Sequence, residues 1–552
     1  MNNRIVTSLC VLCGILSVVQ RASAQGQLSP TTAPTPTMKT LSEIEPRTPI
    51  TNLPYTITLP GSYYVTTNLT ASSGITISTN DVTLDLSGFT LGPGFSGPAI
   101  SVPNPQRNLV IRNGVLDGSG LRAAPAYNSQ FERLREYNSG GPGLQAGSNC
   151  VVLGCSISGN YESDGMDVGP NSTIKDCTVS GNGGDGINVG SSSTVIGCTA
   201  GSNTVYGILA SAGCLVADCT ASGNTSDGIN VGVGTGVRGC TSYLNHGNGV
   251  TTSGNGTIKD CTAVSNTGTG IVVSTGCVID NCSASGNSSA GFLLAGTGVE
   301  IYHSTAVNNT GIGILASNGC VVADCTASGN SSDGINVRDG TGVRGCTSYQ
   351  NGNNGVTADN NCIVTSCTVS TNSVYGISGG NNCSVKDCNA SGNSYVGISI
   401  GNNCTVINCT ASGNGYTGIY CGGNNCTVKD CTASGNNNGD GIQLNNYNGS
   451  SVGSSGCQIV GNTCNNNRGV GIELVGNDTP PFYASVLNRI DGNTCANNGD
   501  VGIADDVPNM TNTITRNFAP GNGIANYYNY AGNSDYAPTG SVSTATNPWT
   551  NF

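Results

Sequence analysis

The chain is poor in charge. Only 9% of its 552 residues are Asp, Glu, Lys or Arg, well under the usual quarter. It has two His, one Trp and four Met, and aromatic residues make up 5%. With 19 basic residues against 31 acidic, the formal net charge is −12. That balance argues against nucleic acid and anionic membrane surfaces as partners, because both need clustered Lys and Arg. It is compatible with cations and with neutral glycans. Beyond the N-terminus no run of about 18 apolar residues occurs, so the mature chain is expected to have no transmembrane helix.

What is abundant is Gly, 83 residues, and Cys, 27. The first 24 residues read as a signal peptide: Arg4 supplies the positive start, Ile5 to Val19 the apolar stretch, and Ala22-Ser23-Ala24 the cleavage site. Residues 25–50 read as a Thr/Pro-rich linker. Export to the cell surface or medium would put the other 25 cysteines in an oxidising compartment.

An internal repeat dominates the rest. A Gly followed by an apolar residue recurs from Gly143 to Gly418 at steps of 21 or 22, and the step then lengthens to 23, 30 and 31 at Gly441, Gly471 and Gly502. With Cys177 as position zero of its coil, position −3 is Val or Ile in all seventeen coils from Val152 to Ile514, and position +5 is Asn in all seventeen from Asn160 to Asn522. Position zero is Cys in thirteen coils (Cys177, Cys198 and Cys219 among them), Ser304 in one, and Asn462, Asn493 and Asn517 in the last three. The β-branched column fits an inward-facing strand stacked on its equivalent in the next coil. The Asn column (Asn182, Asn203, Asn224, Asn266) fits a tight bend in left-handed geometry, its side chains forming a ladder along the stack. A helix is excluded by the Gly content and by the absence of a 3.6-residue period. About twenty such coils, some 4.8 Å each, would make a solenoid roughly 95 Å long.

Coils of the form V-x-x-[CN]-x-[small]-x-x-N-…-G-I resemble the right-handed parallel β-helix repeats of the pectate-lyase-like superfamily. TNLPYTITLPGSYYVTTNLT, GITISTNDVTLDLSGFTL, NLVIRNGVLDG and the closing NPWTNF are similar to a group of exported bacterial β-helix proteins. The resemblance implies an all-β right-handed parallel β-helix. The superfamily includes lyases, hydrolases, epimerases and adhesins, so it does not fix an activity. The expected layout is an N-terminal cap over 51–72, with a hairpin about Pro60-Gly61, coils over 73–526, and a tail over 527–552. Tyr527, Tyr528, Tyr530 and Trp549 of that tail are placed to cap the far end.

Enzyme motifs are sparse. Polygalacturonase-like chemistry would show G-H-G and R-x-K; the nearest match is Asn245-His246-Gly247, and no R-x-K occurs. His246 and His303 stand alone, and the adjacent acids Asp505-Asp506 lack such partners. The best candidate site is an acidic shoulder on the N-terminal coils. Glu162, Asp164 and Asp167 lie in one coil, with Asp185 in register above Asp164. Carboxylates about 5 Å apart could pair as acid and base, and Asp164 and Asp185 could hold Ca²⁺. Before them residues 119–142, with Arg122, Glu132, Arg133, Arg135 and Glu136, read as an irregular charged loop. The bland alternative is that Asp before Gly is a turn residue, since Asp227, Asp333 and Asp440 share the column. A second column, Asp176, Asp218, Asp260, Asp324, Asp387 and Asp430, reads as a solvated ledge paired with Lys.

Three functions compete. The first is a non-catalytic solenoid binding extracellular or cell-surface polysaccharide, or serving as a structural or adhesive element. Regular coils and the near-copy of 213–254 at 319–360 favour it, because duplication adds length without adding a distinct site. The second is a polysaccharide lyase or glycoside hydrolase acting through the acidic shoulder. The third is an ice or crystal-surface binder using the Thr rank Thr178, Thr199, Thr220, Thr241 and Thr262.

Cysteines five apart, such as Cys214/Cys219, are roughly 16 Å apart along an extended strand, beyond disulfide range. Asn and Ser replace Cys at position zero, so Cys acts there as a small buried stacking residue. Alkylation of the native protein should therefore label few thiols, and denaturation without reductant should expose most of them. Few labelled thiols after denaturation would instead mean a zip of coil-to-coil disulfides.

Overall fold

The computed structural model describes residues 45–92, 94, 97–445, 453–476, 485–506, 511–529, 535–536 and 550–551. Two compact units divide at Arg47/Thr48. Of the first, only Glu45–Arg47 is described, with Arg47 Nε donating to Glu45 Oε1 at 2.8 Å. The signal peptide and residues 25–44 of the linker lie outside the described residues.

The second unit is the expected all-β solenoid. Every named element among the described residues is a strand, and every named pairing is parallel, each strand lying on its counterpart in the next coil. One stack holds 22 strands, one per coil; the other holds 36, mostly two per coil. A typical coil runs Thr173–Lys175, Thr178–Ser180, Ile187–Val189. The first two strands bury their middle residue (Ile174, Val179), while the third buries its outer two (Ile187, Val189) and turns its centre outward. Alternation along such short strands fixes which residues face in. The invariant Val/Ile column is therefore core, as its chemistry requires.

Bends decide the rest. Each corner follows a residue with positive φ: Asp176 (54°) before Cys177, Gly181 (67°) before Asn182, Ser192 (59°) before Ser193. This corrects the expectation that the Asn column itself is left-handed. The residue ahead of each Asn takes that conformation, which frees the Asn side chain to turn inward. There Asn203 Oδ1 accepts from both the backbone N–H (3.2 Å) and the Nδ2 (2.8 Å) of Asn182. Asn203 in turn donates to Asn224, and Asn245 to Asn266. The position-zero column works the same way. Cys155 N donates to Cys177 Sγ at 3.4 Å, and Cys198 N to Cys219 Sγ at 3.5 Å. The third corner mixes residue types: Ser172 N to Ser193 Oγ, Ser193 N to Cys214 Sγ, Cys214 N to Thr235 Oγ1. An unpaired buried N–H costs about 1–3 kcal/mol, so each corner selects an acceptor small enough to fit inside. All 25 described cysteines are buried with free thiols. Burial raises the thiol pKa of Cys150, Cys214 and Cys421 above the ordinary range.

The Gly column answers to the Asn ladder. A Cβ on Gly207 would lie 2.5 Å from Gly228 O and 2.6 Å from Asn224 Nδ2. Only Gly lets the third strand pass that close.

The N-terminal end departs from expectation. Thr48–Ile50 pairs in parallel with Tyr63–Val65, and Tyr55–Ile57 with Ile75–Ile77. Residues 48–65 therefore form the first coil instead of a hairpin cap: Gly61 sits at a corner that carries the chain on in the same sense. At the other end Ala525–Asn529 lies on Val501–Asp505, and Asn551 Oδ1 accepts from Asn517 N at 2.9 Å as the last rung of the position-zero column. Tyr530 and Trp549 lie outside the described residues.

Asn266→Leu removes the acceptor for Asn245 N and should lower stability by about 1–3 kcal/mol. Cys261→Ser should cost less than about 1 kcal/mol, because Ser304 already fills that column and accepts from Cys282 N at 3.1 Å. Urea unfolding of the two variants compares them; equal losses would contradict the ladder.

Candidate functional site

The acidic shoulder is assembled as expected in register but is occupied by its own coils. Asp164 Oδ1 accepts from Asp185 N at 2.8 Å, and its Oδ2 from Asn188 Nδ2 at 3.3 Å. Asp185 Oδ1 accepts from Tyr206 N at 3.0 Å. Asp167, at the outward centre of the third strand, takes Gln145 Nε2 at 3.2 Å. Glu162 is exposed in the preceding turn. Burial, with the charge of Asp164, holds the carboxyls of Asp167 and Asp185 above their usual range. The same cap recurs down the column: Asp227 on Asn248 N, Asp333 on Asn354 N, Asp440 on Val470 N. Ca²⁺ takes six to eight oxygens. Asp164 and Asp185 have each already given one oxygen to a backbone donor. Among the described residues no group of three or more His, Cys, Asp or Glu is placed to hold a metal.

Residues 119–142 are not an irregular loop. Leu121–Ala123 and Gln130–Tyr137 are regular strands, the second paired along its length with Val110–Asp117. Arg133 occupies the left-handed bend (φ 49°) ordinarily held by Gly, Asp or Asn, which disguises the coil in the sequence. Glu136 turns inward and accepts from Asn160 Nδ2 at 3.0 Å, while the ladder position of its coil is held by Ser139, whose N–H donates to Asn160 Oδ1 at 3.1 Å. Burial pushes the Glu136 carboxyl up to about 7. The Asp176 column is the left-handed bend before position zero, φ 53–55° at all six positions. Its Lys pairings are loose and exposed, 3.8 Å at Lys175–Asp176 and 3.6 Å at Lys429–Asp430.

A different site lies toward the C-terminal coils, where the repeat lengthens. Tyr375, Tyr395 and Tyr416 come from three successive turns into the third strand. The rings of Tyr395 and Tyr416 stack at 5.0 Å and 10°; Tyr375 and Tyr395 meet at 5.7 Å and 49°. Tyr420 projects from the outward centre of Ile419–Cys421, with Gln443 and then Glu473 beside it in register. Together the four tyrosines, Gln443 and Asn445 line a cleft of about 340 Å³. Gln443 Nε2 donates to Asp440 Oδ2 at 2.9 Å and to Glu473 Oε2 at 2.5 Å. Burial, then the charge of Asp440, lifts Glu473 to about 8. Asp440 is raised too, chiefly by burial. Gln443 thus bridges two carboxyls that both hold their protons above the ordinary range. The sequence signal was present in S-V-Y-G-I, S-Y-V-G-I and G-Y-T-G-I, but Tyr375 sits one residue before Gly where Tyr395 and Tyr416 sit two before it, so no column formed.

The sequence profile described as Right handed beta helix region matches residues 64–215, 168–309, 250–400 and 376–537. The chain belongs to the right-handed β-helix family. No curated protein sequence matches this β-helix chain. Solved β-helices similar to it include the Dettilon tailspike protein, 17% identical over 57% of this chain and 61% of that one, with a TM-score of 0.35. The Azotobacter vinelandii mannuronan C-5 epimerase AlgE6 A-module is 15% identical over 86% of this chain and 89% of that one, with a TM-score of 0.18. Pectate lyase Pel9A is 17% identical over 56% and 67%, with a TM-score of 0.20. This chain thus spans about three fifths of the tailspike.

Glu473 holds its proton to higher pH folded than unfolded, so its contribution to stability is full below about pH 4.5 and is lost as pH rises through about 8. Glu136 has the same sign. The unfolding midpoint of this β-helix should fall across that window, and Glu473→Gln should flatten the fall. A variant with the unaltered slope would contradict the burial of that carboxyl.

Proposed function

We propose that this chain is an exported β-helix that binds polysaccharide through the tyrosine cleft without cleaving it. The cleft is the observation that carries the reading. Aromatic rings offer flat apolar faces to the C–H faces of sugars, and the phenol and amide groups between them can take ring hydroxyls. The signal-like N-terminus supports export. The absence of G-H-G and R-x-K supports binding over hydrolysis.

A catalytic reading has one observation in its favour, and it moves the site away from Asp164 and Asp185. Asp440 and Glu473 share Gln443, and burial raises both carboxyls, as it would in a buried carboxyl pair poised for proton transfer. The ice-binding reading gains no support. The Thr178, Thr199 and Thr220 rank is in register, but the neighbouring outward rank runs Ser180, Gly201, Ser222, Tyr243, Val264 and supplies no second line of Thr.

A glycan array probed with the mature chain should show at least one bound polysaccharide. Tyr395→Ala and Tyr416→Ala should each weaken that signal about tenfold, the worth of one aromatic ring stacked on a sugar. No new reducing ends or unsaturated products should form from the bound glycan. Product formation that stops in Glu473→Gln would establish the catalytic reading instead.

A further inference from the structure

The charge around the tyrosine cleft narrows what it can hold. No Lys, Arg or His lines the described cleft; its walls are four phenols, one Val and two side-chain amides. The ionisable groups that act on its phenols and on Gln443 are carboxyls. Asp440 and Glu473 both act on the Tyr416 phenol, after burial and the adjoining Tyr395, and Asp500 acts on both carboxyls. A uronate entering here would bring its carboxylate toward these carboxyls, with no cation among the lining residues to pair it, and anion recognition depends on such pairing. An unionised sugar meets no such penalty. Its C–H face stacks on a ring, and its hydroxyls find phenols and amides. Gln443 gives its N–H protons to Asp440 and Glu473, which turns its carbonyl oxygen to the role of hydroxyl acceptor.

We propose that the cleft takes a neutral polysaccharide, built of unionised hexose or pentose rings, and rejects polyuronates. The proposal rests on the glycan reading of the cleft and adds the substrate class. Native affinity gels of the mature chain test it, cast with a mixed-linkage glucan, a galactomannan, a xylan or a dextran, and in parallel with polygalacturonate or alginate, each with Ca²⁺ and with EDTA. At least one neutral polymer should retard the chain. Tyr395→Ala should weaken the retardation about tenfold. Raising the salt should change it by less than about twofold, because no ion pair is formed. Tyr161→Ala, an exposed tyrosine outside the cleft, should change nothing, and unfolding midpoints confirm that the variants are folded. Retardation by a polyuronate that disappears in Tyr395→Ala, with or without Ca²⁺, overturns the neutral class and leaves the glycan reading standing. No retardation by any polymer, or retardation that survives both Tyr395→Ala and Tyr416→Ala, overturns both.

Discussion

At each corner of a coil one backbone N–H is turned away from the strand ladders and into the core, and it must be met there. Water does not reach it, and no carbonyl of its own coil lies in line. The acceptor is the side chain of the equivalent residue one coil further on: Oδ1 of Asn203 for Asn182, Sγ of Cys177 for Cys155, Oγ of Ser193 for Ser172. The chain meets this demand at the Asn corner of every coil from Asn160 to Asn498, and at all three corners in coils such as those of Cys155 and Cys198. A residue that accepts, is small and survives burial is a short menu of Asn, Cys, Ser and Thr.

That one demand orders most of the composition. Left-handed residues ahead of the corners call for Gly, Asp, Asn and Ser, which explains the Asp ledge as well as much of the Gly. The Asn ladder sits against the third strand and forces Gly207 and its equivalents to lack a side chain. Charge is scarce because the polar groups answer one another inside the stack. The ladder must also begin and end somewhere. Ser139, whose N–H donates to Asn160 Oδ1, precedes the Asn column, and Asn551 closes the position-zero column. Glu136, which takes the Nδ2 of Asn160 beside that rung, keeps its Oε1 buried without a hydrogen-bond partner, which is consistent with a group that holds its proton near neutral pH.

The period, the inward Val/Ile column and the stacking of Asn and Cys were legible in the sequence because each recurs in register and has one physical reading. Position within a bend was not. Asn tolerates left-handed geometry, so Asn182 was the natural candidate for it, yet Gly181 takes that role and leaves Asn182 to bond. Pro60-Gly61 has hairpin chemistry, but a parallel first coil uses the same bend. Arg133 in a left-handed bend hid a regular coil between residues 119 and 142. The candidate site was the least legible part. Asp164 and Asp185 are conspicuous by charge and are consumed as backbone caps. Tyr375, Tyr395 and Tyr416 drift by one residue against the Gly column, and only the fold places their rings together.

Amide hydrogen exchange read residue by residue tests the corner ladders most directly. The N–H groups of Asn182, Asn203 and Asn224 belong to no strand, and by secondary structure alone they would exchange like turn amides. The ladder account expects them to be protected as strongly as strand amides such as those of Ile174 and Val195. Exchange of these Asn amides at the rate of the exposed turns beside them would contradict it.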